Sequence, residues 1–119
     1  MSERYSKLFS LPENLYTEGS PVIIAAGALL KDNSTGKLLV QLKFRNISDC
    51  VINAVKVKIN AFDPAGPVLK GVESFSYLDL SVGKDGEFGQ KKSIPLSDVT
   101  TRCFSVQILS VTYSGGIYT

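Results

Sequence analysis

The chain has 119 residues, 44% of them hydrophobic and 20% charged, with a formal net charge of +2, no histidine and no tryptophan. That length and balance suit one domain with its own core and exclude global disorder. A charge of +2 is too small to make the whole surface a binder of nucleic acid or of membrane.

The first 20 residues contain the turn-rich stretches LPEN and TEGSP and read as an irregular arm wrapped around an edge of the domain. Nothing in MSERYSKLFSLPENLY resembles the apolar centre of a secretion signal, which leads us to expect a cytoplasmic chain. Val22 to Leu30, VIIAAGALL, is an apolar run of strand length and far short of a membrane span. Gly27 inside it marks a bulge or a close approach of another backbone. KDNSTGK then reads as a loop.

From Leu38 to Asn46, Val40, Leu42 and Phe44 alternate with Gln41, Lys43 and Arg45. The next segment alternates as well, with Val55, Val57, Ile59 and Ala61 against Lys56, Lys58, Asn60 and Phe62. A period of two over this length is a strand signal. The intervening NISDC has the composition and length of a hairpin turn. Asp63-Pro64-Ala65-Gly66 is a second turn, in which Pro64 presets its own φ.

Strand-like segments follow at Val68–Val72, Ser74–Leu80 and Glu87–Leu96. In LSDVTTR, Ser97 could cap a single helical turn. The last strand, Cys103 to Tyr113, changes phase between Phe104, Val106 and Ile108 and Leu109, Val111 and Tyr113, which a bulge near Ile108-Leu109 would reconcile. About seven short strands predict an all-β, immunoglobulin-like sandwich of antiparallel strands in two sheets, one domain over 1–119 with its core at about 22–113.

Charge is uneven along the chain. Residues 37–60 hold Lys37, Lys43, Arg45, Lys56 and Lys58 against Asp49, a net +4, whereas residues 61–90 hold Asp63, Glu73, Asp79, Asp85 and Glu87 against Lys70 and Lys84, a net −3. If the two alternating segments form a hairpin, their outward side chains make one basic patch. The candidate interaction face is then Gln41, Lys43, Arg45, Lys56, Lys58 and Phe62, with Phe62 as an exposed aromatic anchor or a residue turned inward by a bulge. A solvated face is the commoner use of such a row, and a contact surface the rarer one. No aromatic platform interleaves with these bases, which argues against nucleic acid.

Catalytic motifs are missing from the sequence. Without histidine there is no imidazole base, triad or His ligand. KDGEFG lacks the lysine and glycine run of a phosphate loop, and DNSTGK has too few acids for a calcium loop. We therefore expect no enzyme, cofactor or metal, with an enzyme that uses a deep pocket of convergent polar groups kept only as a remote alternative. Cys50 and Cys103 are expected as free thiols, since Cys50 falls in a turn and no tryptophan stands beside the pair. The sequons at Asn33 and Asn46 read as turn residues.

The stretch RNISDCVINAVKVKINAFDPAG, with YLDL and VGKDGEFG after it, resembles the small bacterial β-sandwich modules known as FxLYD-type domains. The opening LFSLPENLYTEGSPVIIAAGALLKDNSTGKLLVQLKFRNIS and the closing FSVQILSVTYSGG are similar to uncharacterised Firmicutes proteins in which such a module begins a longer chain. The resemblance implies an immunoglobulin-like accessory module with no catalytic residues. It would contact a protein partner or another domain of its parent chain, with weak self-association as the alternative and no insertion into a membrane.

Overall fold

Two alternating strands with valine, leucine and phenylalanine on one face must bury that face, and here they bury it against each other. The computed structural model describes residues 4–63 and 66–119. Within them the strands are β1 (Tyr5–Ser10), β2 (Val22–Asp32), β3 (Leu38–Asn46), β4 (Ile52–Asp63), β5 (Gly66–Tyr77), β6 (Glu87–Phe88), β7 (Ser93–Leu96), β8 (Cys103–Tyr113) and β9 (Gly116–Tyr118). All pairings are antiparallel. The first sheet has the order β1-β2-β3-β6, with β7 also on β3, and the second has the order β5-β4-β8-β9. The result is a β-sandwich, the fold class expected from the sequence.

The expected hairpin does not form. β3 and β4 lie in different sheets, so Leu38, Val40, Leu42 and Phe44 face Val55, Val57 and Ile59 across a single core cluster. Each of these seven side chains is at most 1% exposed. Burial of that extent stabilises by roughly 1.5–3 kcal/mol per side chain. The five residues after Asn46 are therefore a corner between sheets.

Asn46 holds that corner. It is fully buried, and its Nδ2 donates to the carbonyls of Cys50 at 2.7 Å and Val82 at 3.0 Å. Its Oδ1 accepts from the backbone N–H and the hydroxyl of Ser48 at 2.9 and 2.7 Å. A buried amide with all its groups satisfied fixes one path for the chain.

Other boundaries shift for local reasons. The arm contains a regular edge strand, β1, and beyond it Leu11 N–H donates to the Gly27 carbonyl at 2.8 Å, the backbone approach expected at that glycine. The register slip in β2 falls between Ile24 and Ala26. The segments around Val72 and Ser74 are one strand, β5, whereas the segment 87–96 is split into β6 and β7 by a loop at 89–92. The bulge in β8 falls where the phase changes, since Lys56 pairs with Ser110 and Val57 with Ile108, leaving Leu109 as the extra residue. No helical turn forms after Ser97. Instead Asp98 accepts from the backbone N–H and the hydroxyl of Thr100. Pro64 and Ala65 of the expected turn lie outside the described residues. No helix among the described residues is long and apolar enough to cross a membrane.

Candidate functional site

The corner at Asn46 decides where the basic residues go. Gln41, Lys43 and Arg45 point away from the core on the first sheet, and Lys56, Lys58 and Phe62 do so on the second. The six expected residues thus occupy opposite outer faces of the sandwich, and there is no single patch of four bases. Alternation assigns a side chain to the inner or outer face of its own sheet, and it carries no information on which sheet that is.

On the second sheet, Lys56 lies between Ser76 of β5 and Ser110 of β8, and Lys58 between Ser74 and Gln107. Serine and glutamine dilute the like charges, which is the arrangement of a solvated face. Phe62 stands at the far end of β4, half-buried, in register with Leu69 and Cys103. Its neighbours are apolar, and it takes no part with the two lysines.

The first sheet is different. Ala26, Gly27 and Ala28 of β2 pair with Lys43, Leu42 and Gln41 of β3, so small side chains alternate with long polar ones across one ladder. That difference in length leaves a groove of about 250 Å³ on this face. Its floor is the Ala26–Ala28 stretch, and Lys7 of β1 and Lys43 of β3 both line it. Gln41 and Gln90 line it too, and Gln41 Nε2 donates to the Gln90 carbonyl at 3.3 Å. Glu13 supplies an acid on the side of the arm.

Lys43 also meets Glu87 at 3.6 Å across β3 and β6. Both partners are about two-fifths exposed, at 38% and 43%, so this pair contributes no more than about 1 kcal/mol. It orients the ammonium group without removing it from the solvent.

Arg45 stands one step further along, in register with Ile23 and Glu87. The sequence reading missed Lys7 and Gln90, because one lies in the supposed irregular arm and the other in a loop. The signal for the groove was present in Ala26 and Ala28, whose small side chains in an apolar run leave a hollow where valine would fill it.

A second charged pair, Lys84 with Asp49 at 3.1 Å, bridges the β3–β4 corner to the segment before β6. The Asp49 carboxylate, by hydrogen bond and charge, holds the Lys84 ammonium above its ordinary pKa. Asn46, being buried and fully engaged, has no free amide for a glycan. Asp32 of the loop once compared with a calcium site uses its carboxylate on Ser34 and on Arg4, at 2.7 and 3.5 Å. Among the described residues no three His, Cys, Asp or Glu side chains cluster in a way that could hold a metal ion. Cys50 and Cys103 are free thiols, one at the corner and the other opening β8.

The chain matches no protein-family model, no curated protein and no solved structure.

Proposed function

We propose that the chain is a non-enzymatic binding module that takes an acidic stretch of a protein partner, or of another domain of its parent chain, on the outer face of its first sheet. The observation that carries this reading is the groove over Ala26–Ala28 with Lys7 and Lys43 on its lining. Small residues leave room for an incoming chain, the amides of Gln41 and Gln90 offer hydrogen bonds, and the two ammonium groups favour carboxylates. Arg45 extends the basic character beyond the groove. The wider reading is an immunoglobulin-like accessory domain of the FxLYD kind within a longer bacterial protein. Free thiols at Cys50 and Cys103 suit a reducing, cytoplasmic setting.

The test compares three forms in capture from native lysate: wild type, Lys7→Glu with Lys43→Glu, and Lys56→Glu with Lys58→Glu. Loss of a partner in the first double variant alone, with that partner then bound directly in a salt-sensitive way, supports the assignment. Retention in both variants refutes it. Capture of nothing by wild type favours a spacer role.

One observation favours a second reading, self-association. Among the described residues β5 runs for 12 residues as an edge strand bonded only to β4, with Leu69 and Val72 half exposed on it. Such an edge is a template for a second strand. Light scattering across protein concentration and salt decides this, and a monomer throughout removes it.

A further inference from the structure

The register of the first sheet places the lining of the outer-face groove residue by residue. Lys7 of β1 stands opposite Leu30 and Ser10 opposite Ala28, while Gln41 and Lys43 of β3 stand opposite Ala28 and Ala26. Glu13 falls beside Ala26, because the N–H groups of Leu11 and Asn14 on either side of it donate to the carbonyls of Gly27 and Ala25. β2 thus runs down the middle of the groove, and the two lysines stand at opposite ends of one diagonal across it.

Leu30 and Ala26 are separated by about 13 Å along β2, and β1 and β3 by two strand spacings, about 10 Å, so the two lysine backbones are about 16 Å apart. Ala28 lies at the midpoint, with Ser10 and Gln41 on either side. The hollow there has an apolar floor, to which Gly27, Leu11 and Leu42 also contribute.

An extended chain repeats its side-chain direction every second residue and advances about 13 Å in four residues. Its residues i, i+2 and i+4 therefore face the same way. Carboxylates at i and i+4 span most of the distance between the lysines, whose long flexible stems cover the rest. Residue i+2 then lies over Ala28. A carboxylate is disfavoured at that centre, since the floor is apolar and Glu13 stands on the wall. Lys43 keeps donors for this use: an ammonium has three N–H groups, and its contact with Glu87 at 3.6 Å engages one of them at most.

We infer that the groove selects an extended segment in which two acidic residues, at i and i+4, flank an apolar residue at i+2. This rests on the groove being the binding face for an acidic stretch, and adds to it the spacing of the acids and the character of the residue between them.

The probe is the peptide acetyl-GETVTEG-amide, titrated into the intact chain to about 10 mM and followed by amide chemical shifts, a range that detects millimolar binding. Three peptides are compared with it: the isomer GTEVETG, GETSTEG with a polar centre, and GKTVTKG with reversed charge. GETVTEG should shift Ala26, Ala28 and Gln41 and bind about three- to tenfold more tightly than each of the others. Lys7→Gln should erase the gain from one glutamate and Lys43→Gln the gain from the other, read with GETVTQG and GQTVTEG. Equal binding of GETVTEG and its isomer, or loss of the same glutamate's gain in both variants, would overturn the spacing while leaving an acid-binding face. No shift with any peptide would remove the groove as a binding face, and the inference with it.

Discussion

Asn46 Nδ2 donates to the backbone carbonyl of Val82 at 3.0 Å, fastening the end of β3 to a segment 36 residues further along the chain. The same nitrogen donates to Cys50 at 2.7 Å, so one side chain joins the two sheets' connection to the strand-free stretch before β6. Backbone bonds reinforce the tie, with Asn46 N–H on the Gly86 carbonyl at 3.0 Å and Asp85 N–H on the Asn46 carbonyl at 2.8 Å. Asn46→Ala takes one donor from each of the Cys50 and Val82 carbonyls, removes the acceptor of the Ser48 N–H and hydroxyl, and leaves a hole at a fully buried position, which together should cost about 2–4 kcal/mol. Asn46→Asp should cost more, because it replaces two donors with a buried charge. Urea denaturation checks both, and a loss below about 0.5 kcal/mol would show that the corner holds without this side chain.

A comparison of two glycines tests how firmly the 89–92 loop is held. Gly89 has φ +96°, and a Cβ there would lie 2.9 Å from Phe44 Cδ2 and 3.0 Å from the Leu42 carbonyl. Gly36 has φ +76° but open space around it. Gly36→Ala therefore carries only the backbone cost, about 1 kcal/mol, whereas Gly89→Ala adds a clash with a fixed carbonyl and should cost about 2–3 kcal/mol. Equal losses in thermal melts would mean that the 89–92 loop shifts freely to admit a side chain.

What the sequence made legible was the orientation of side chains, and what it hid was their neighbours. Val40, Leu42 and Phe44, like Val55, Val57 and Ile59, alternate with polar residues, and all six are core. The bulge at Leu109 could be read from a change of phase, since one extra residue moves every later side chain to the other face. NISDC gave no comparable signal. A hairpin turn and a crossover between sheets draw on the same polar residues, and the choice here depends on Val82 and Gly86, which are distant in sequence. The basic row was misread as one patch for that reason. Ala26 and Ala28 passed as ordinary members of an apolar run, and only their register against Lys43 and Gln41 shows a groove.

Acid should report on the loop between β2 and β3. The Ser34 hydroxyl, and then the Ser34 N–H, hold the Asp32 carboxyl below its ordinary value, with Arg4 assisting and partial burial opposing. A depressed folded-state pKa means stability that is present above the unfolded value near 4 and is lost as pH falls through the folded value. Wild type should be more stable than Asp32→Asn at pH 7, and the two urea midpoints should converge toward pH 2. Parallel midpoints over that range would show that the Asp32 charge is not used by the fold.

Alkali should report on Tyr77, with the opposite sign. Burial alone pushes its phenol well above the ordinary value of 10.0. A raised folded-state pKa means stability that is complete below about pH 10, the unfolded value, and is lost as pH rises beyond it toward the folded one. Absorbance near 295 nm should show the Tyr77 phenol ionising only together with unfolding. Because its hydroxyl is buried without a partner among the described residues, Tyr77→Phe should stabilise the protein by up to about 1 kcal/mol at neutral pH. The same substitution should flatten the loss above pH 10. If Tyr77→Phe is instead destabilised by more than about 1 kcal/mol, the hydroxyl is already satisfied within the fold.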